Sequence, residues 1–246
     1  MKQSRRAARL FTLSPPRDDS LYLDDRDAHY LSSVLRLRVG DHVTAFDGCG
    51  HEWHATIRSL TRRGGELALI ESTPALPEPT LDLTLVQALV KSDAMDTIIQ
   101  KATELGVTRI WPAISQFSVV QLDPGRASRR LAHWQRVARS ACEQSGRHVP
   151  PEIRLPSALD ECLDALATEG VKIALAPDAE PGMQWPTDVA SAAVIVGPEG
   201  GFGPNDRPLL EAAGCLHLRL GGRVLRADTA AITACALAQQ HWGDLV

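Results

Sequence analysis

Three prolines in six residues, Pro74-Ala75-Leu76-Pro77-Glu78-Pro79, constrain this chain more than any other feature. Proline fixes φ and lacks an amide proton, so such a run suits neither a helix interior nor a central strand. It predicts a stiff, extended linker over 74–79. The linker divides the 246 residues into segments 1–73 and 80–246, and the spacing of apolar residues changes across it.

Before the linker, apolar stretches at 43–46 and 52–57 flank Asp47-Gly48-Cys49-Gly50, a hairpin signal. Arg62-Arg63-Gly64-Gly65 turns the chain into a further strand over 66–70, and one helix is expected around 27–36. This pattern predicts a small β-barrel-like domain. After the linker the expectation is a strand at 81–89, a helix at 93–105 closed by Gly106, a strand at 109–112 and a long helix at 124–145. Short apolar strands follow at 153–155, 171–176, 192–197 and 215–220, with helices at 157–168, 205–213 and 228–240. Strand alternating with helix predicts an α/β domain with a mainly parallel sheet.

Composition removes several function classes. A hydrophobic content of 44% excludes wholesale disorder. No apolar run reaches the roughly 20 residues that span a bilayer, so no membrane role is expected. The basic start, with only Leu10, Phe11 and Leu13 behind it, lacks the apolar core of a secretory leader. Five cysteines without a CxxC pair argue against a disulfide framework or zinc ribbon and for a reducing, cytoplasmic location. His51-Glu52-Trp53-His54 is not the HExxH pattern and no GxSxG occurs, so neither a metal site nor a hydrolase is expected. A net charge of −4 argues, as a sum, against nucleic acid. The basic residues are 4 Lys and 22 Arg, which genome bias explains as well as phosphate binding does. Residues 1–79 carry 11 basic and 11 acidic side chains, and residues 80–246 carry 15 and 19, so only local placement can point to a partner.

Two glycine-rich loops follow apolar strands. Gly197-Pro198-Glu199-Gly200-Gly201-Phe202-Gly203 follows 192–196, and Leu220-Gly221-Gly222-Arg223-Val224-Leu225-Arg226-Ala227-Asp228-Thr229-Ala230 opens the last helix, with Asp228 or Thr229 as its expected N-cap. Glycine permits close backbone approach to a ligand, and open α/β sheets bind ligands at the carboxyl ends of their strands. Each loop alone also reads as a plain connection; together they are expected side by side at one sheet edge. Neither fits a P-loop or the GxGxxG fingerprint, which disfavours ATP, GTP and NAD.

Arginines recur over 125–147: Arg126, Arg129, Arg130, Arg136, Arg139 and Arg147. Helical spacing gathers Arg129, Arg136 and Arg139 near one face, with Arg126 a turn before. The stripe fits either a solvated helix face or a surface tracking a phosphate backbone. A second basic cluster, Lys2, Arg5, Arg6, Arg9 and Arg17, reads as a nucleic-acid contact or a frayed tail.

The two glycine loops, with Gln100-Lys101-Ala102-Thr103-Glu104-Leu105-Gly106-Val107 and Ala141-Cys142-Glu143-Gln144-Ser145-Gly146-Arg147, closely resemble motifs of the RsmE family of SPOUT-class RNA methyltransferases. The first segment resembles that family's PUA-like RNA-binding barrel more weakly, through 29–36. The resemblance implies an α/β trefoil-knotted methyltransferase domain over 80–246 behind a PUA-like barrel over 1–73. It implies S-adenosylmethionine as donor, a homodimer, and methylation of N3 of uridine 1498 in 16S ribosomal RNA, free or within the small ribosomal subunit. Implied cofactor residues are Leu175, Gly197, Pro198, Glu199, Gly200, Gly201, Leu220, Gly221, Gly222, Val224, Leu225, Thr229 and Ala230. Arg5, Arg6, Arg9, Arg36, Arg126, Arg129, Arg136, Arg139 and Arg147 are the expected RNA contacts. Arg226, with Arg223, is the expected stabiliser of charge on the uracil oxygens, and Glu199 the candidate carboxylate beside them. Two stretches depart from the family pattern: Lys91-Ser92-Asp93-Ala94-Met95-Asp96 and Gln116-Phe117-Ser118 each lack a charge that could help seat RNA. A SPOUT enzyme acting on transfer RNA or a ribose oxygen, and a non-catalytic RNA-binding assembly factor, are the competing readings.

Overall fold

The computed structural model describes residues 8–74, 77–118 and 123–245. Arg5, Arg6, Ala75 and Leu76 lie outside the described residues. The chain forms two compact units, one of residues 1–78 and 142–150, the other of 79–141 and 151–246.

The first unit holds one sheet in the order β1-β3-β4-β5-β2. Its strands are β1 (Ala8–Phe11), β2 (Ser20–Leu23), β3 (His42–Phe46), β4 (His51–Thr61) and β5 (Gly64–Pro74). The Asp47–Gly50 loop joins β3 to β4 antiparallel, with the Asp47 carboxylate accepting the amides of Cys49 at 2.7 Å and His51 at 3.1 Å. The expected helix around 27–36 is shorter: α1 (Asp25–His29) runs into a π-helical turn, Tyr30–Val34, and the chain leaves at Arg36 with φ +58°. Strand β1 lies within the N-terminal basic cluster, read from sequence as a nucleic-acid contact or a frayed tail, and β2 lies just after it. Leu10, Leu21, Leu23, Leu31, Val43, Ala55, Ile57 and Leu67 form the core of this unit.

The second unit is a parallel sheet in the order β12-β10-β11-β6-β7-β8, with β9 (Ser157–Ala158) also pairing β7. The strands are β6 (Asp82–Ala88), β7 (Arg109–Ile114), β8 (Glu152–Ile153), β10 (Val171–Leu175), β11 (Ser191–Val196) and β12 (Leu216–Leu218). Successive side chains alternate between two cores. Leu83, Leu85, Ile110, Ile173, Ala192, Val194 and Val196 pack under α2 (Ser92–Glu104), α3 (Pro124–Ser145) and α6 (Ala227–Trp242). Val86, Trp111, Ala113, Ala174, Ala193 and Ile195 pack under α4 (Leu159–Ala165) and α5 (Asp206–Ala212). A parallel sheet covered on both faces needs such continuously apolar strands. One expectation is corrected here. The strands that precede the two glycine loops, β11 and β12, are not neighbours, because β10 lies between them.

Candidate active site

The parallel strands β10, β11 and β12 all end on one edge, so three loops, not two, converge there. Strand β10 ends in the buried Leu175, and the loop after it supplies Ala176, Pro177 and Asp178, with the Ala176 amide donating to Leu218 O at 3.0 Å. Asp178 pairs with Arg207 at 2.8 Å, and that guanidinium hydrogen bond holds its carboxyl below the usual range.

The loop after β11 folds on itself. Gly201 N donates to Pro198 O at 2.9 Å, and Gly201 has φ +70°, a conformation that side chains disfavour. Gly197 and Pro198 are buried beneath it, while Glu199 and Gly200 are exposed. Asp206, 4% exposed, clamps the loop: its carboxylate accepts Gly203 N at 2.8 Å and Gln116 N at 3.1 Å. The Gln116 amide oxygen accepts Asn205 N at 2.9 Å and lies so close to Gly203 that a Cβ there would be 2.2 Å from it. Gln116, noted above as a lost charge, is thus a structural brace. Sequence reading missed Asp206 because Gln116, the partner that makes it a clamp between two segments, is 90 residues away.

The loop after β12 is open. Gly221 has φ +74°, and Arg219 Nε donates to its carbonyl at 3.1 Å. Val224 is 85% exposed, an apolar side chain left uncovered at the edge of the cleft. The N-cap of α6 is Arg226, not Asp228 or Thr229: Arg226 has extended backbone, and its carbonyl accepts Ala230 N at 2.8 Å. Asp228 lies inside the first turn, where its carboxylate accepts Thr229 N at 2.7 Å.

Three adjoining spaces result. A narrow slot is lined by Leu175, Leu220, Gly221, Arg223, Leu225 and Ala230. A cavity of about 250 Å³ is bounded by Leu175, Glu199, Gly200, Gly201, Phe202 and Val224, among others. A third, of about 470 Å³, is lined by Lys91, Asp93, Ala94, Thr97, Glu199, Arg226, Ala227 and Asp228. Glu199 lines both larger spaces. Lys91 and Asp93, at the start of α2, were not singled out for the site from sequence. Among the described residues none of Lys91, Glu199 and Arg226 has an ion-pair partner. Arg223 and Arg226 share none of these three spaces, and Gly222 and Thr229 line none of them.

The expected RNA contacts divide. Arg126, Arg129 and Arg136 are exposed on α3, opposite the buried Trp134, Ala138 and Ala141; Arg139 is half-buried, and Arg36 is exposed. Arg9 and Arg147 are corrected from surface contacts to packed residues. Arg9 pairs with Glu52 and lies 4.5 Å from the Phe46 ring centroid, its side chain 15% exposed. Arg147 pairs with Glu78 at 3.1 Å and is 9% exposed. Arg9 is thus committed to the buried Glu52, and Arg147 to Glu78, which is itself exposed. Among the described residues no cluster of three or more metal-ligating side chains occurs and no helix is long and apolar enough to cross a membrane.

Residues 77–239 match the family profile described as an RNA methyltransferase domain, and residues 23–70 match an RNA methyltransferase PUA domain. Ribosomal RNA small subunit methyltransferase E of Rickettsia conorii is 32% identical over 86% of this chain and 86% of its own length. The enzyme of that name from Neisseria gonorrhoeae, solved with S-adenosyl methionine bound, is 32% identical with a TM-score of 0.88, covering 98% of this chain and 100% of that one. A methyltransferase of Legionella pneumophila, in complex with SAM, is 33% identical with a TM-score of 0.91 over the same shares. The three-loop edge, the PUA segment and these likenesses over nearly the whole length agree: the chain belongs to the ribosomal RNA small subunit methyltransferase E family.

Proposed function

We propose that this protein uses S-adenosylmethionine to methylate N3 of a uridine in the decoding region of 16S ribosomal RNA. The observation that carries the reading is the convergence of three loops beside a cavity that holds Arg226 and Glu199 without ion-pair partners. The loops suit the cofactor. A Cβ added at Gly201 or Gly221 would meet nothing within 4 Å, so the backbone there is open to close approach. Leu175, Leu220, Leu225 and Ala230 offer apolar walls of the kind an adenine ring needs. S-adenosylmethionine supplies an electrophilic methyl group when bound.

Uracil N3 carries a proton and is a poor nucleophile until that proton leaves. Its removal puts negative charge on the flanking carbonyl oxygens. Arg226 stabilises that charge from the cavity wall, where its guanidinium is not spent on capping α6. Glu199 accepts the proton, since it faces both the cofactor side and the Arg226 cavity. Arg223 acts on the cofactor side, with Leu220 and Leu225. The exposed Arg126, Arg129 and Arg136, with Arg36 in the PUA segment, hold the RNA backbone. Gly197 and Pro198 shape the loop from beneath, and Gly222 and Thr229 flank it.

The finer architecture carried by the resemblance is a trefoil-knotted catalytic domain, a PUA-like barrel and a homodimer in the cytoplasm. A return from β11 to β12 across β10 is compatible with such a threaded C-terminal region. The test is incubation with methyl-labelled S-adenosylmethionine and either small subunits or naked 16S RNA, followed by mapping of the label. A single uridine labelled at N3 is expected. Label on a ribose, on another base position or nowhere overturns the reading.

A further inference from the structure

The segment after β7 is tied into a rigid turn. Ser118 N donates to Ser115 O at 3.1 Å, and Ser115 N donates to Ser118 Oγ at 3.0 Å. Gln116 is bound on both sides, by its own amide to Asp206 and by its side-chain oxygen to Asn205 N. Phe117 stands on this turn between serine and glutamine neighbours, 44% exposed. Among the described residues of the second unit it is the one exposed aromatic side chain. Its position gives that exposure a use. A Cβ at Gly200 would lie 3.3 Å from Phe117 Cβ and 3.5 Å from Cδ2, so Phe117 packs directly on the loop that carries Glu199.

We propose that Phe117 is the stacking surface for the target uracil once it has turned out of its RNA stack. The inference rests on the uridine-methylation reading above. A nucleobase withdrawn from its neighbours loses stacking on its π-face, and an aromatic ring restores it whatever the base. A ring beside Gly200 holds the base next to Glu199, the residue that opens on the cavity of Arg226. The two braces on the turn fix the ring before RNA arrives, so little ordering is required on binding. Phe117 lines none of the three spaces itself; its link to the site is the contact with Gly200, next to Glu199, which borders the Arg226 cavity.

The experiment compares the full-length protein with Phe117→Leu and Phe117→Trp. Steady-state methylation of small-subunit RNA gives KM and kcat, calorimetry gives the affinity for S-adenosylmethionine, and melting gives Tm. Phe117→Leu is expected to raise KM for RNA about tenfold or more, with cofactor affinity and Tm unchanged, while Phe117→Trp stays within about twofold of the parent. An RNA with 2-aminopurine at the target position should fluoresce more brightly on the leucine variant, where no ring quenches it. An unchanged KM in Phe117→Leu overturns the proposal. So does a parallel loss of cofactor affinity in both variants, which makes Phe117 a prop for Gly200. Failure of the unaltered protein to methylate small-subunit RNA overturns the functional reading itself, and the stacking role with it.

Discussion

Arg226 combines a backbone duty with a free side chain. Its carbonyl starts α6, yet the helix gains no side-chain capping bond from it. Arg226→Ala should therefore leave Tm nearly unchanged. Methyl transfer should fall about 10²–10³-fold, the usual cost of losing one charge stabiliser, with cofactor affinity preserved. Single-turnover rates and calorimetry read the two effects separately. Glu52 illustrates the opposite fate of a charge. It is buried, and it accepts hydrogen bonds from Arg9, from His148 Nε2 at 2.7 Å and from Thr73 Oγ1 at 3.1 Å. Burial pushes its carboxyl up, but Arg9, Thr73 and His148 outweigh this and hold it below the ordinary glutamate value. Its stabilisation is fully present above the unfolded value of about 4.3 and is lost as pH falls through the lower folded value. Glu143 opposes it, since burial raises its carboxyl and protonation relieves that cost. Glu52→Gln should reduce stability near neutral pH by about 1.5–3 kcal/mol and flatten the decline below about pH 4. Denaturant midpoints from pH 3 to 7 decide it; parallel curves for the two proteins would refute the assignment.

Helix α3 shows what spacing alone can reveal. Its exposed Arg126, Arg129 and Arg136 sit opposite Trp134, Ala138 and Ala141, as the 3.6-residue period requires. If the stripe holds phosphates, Arg129→Ser with Arg136→Ser should weaken RNA binding and reduce the salt slope of log K by about two. Titrations between low and moderate salt measure this, and an unchanged slope returns the stripe to a solvated face. The alternation of strand and helix after the linker was legible because β6, β10 and β11 are apolar on both faces. Strands β1 and β2 were not, being four residues long and paired with strands far along the chain. A four-residue strand carries too little periodicity to stand out, and Arg9 resembled tail charge because its partner Glu52 is 43 residues away. The α6 cap was misplaced for a related reason. Asp228 is a good capping residue by type, but the chain enters the helix two residues earlier.

At the scale of the molecule, net charge concealed what placement revealed. The chain is acidic overall at −4, yet exposed arginines stand together on α3 (Arg126, Arg129, Arg136) and on the loop before α6 (Arg223, Arg226), while others are spread over both units. The glycine loops and Arg226 were readable as motifs, but their geometry was not. Which strands are neighbours depends on pairings between distant residues, so β10 and its Leu175–Asp178 loop entered the site only in three dimensions. A homodimer of the 26.6 kDa chain should scatter light as a particle of about twice that mass. A monomer at micromolar concentration would remove the dimer from the proposed architecture.

The strand order β12-β10-β11 also has a consequence in time. The slot proposed for the adenine ring takes Leu175 from one strand and Leu220, Leu225 and Ala230 from beyond another. On that assignment, a chain emerging from the ribosome cannot complete the slot until Ala230 has been synthesised. Ligand binding, which stabilises only what it can bind, acts as a final lock on a finished fold and gives no help along the way.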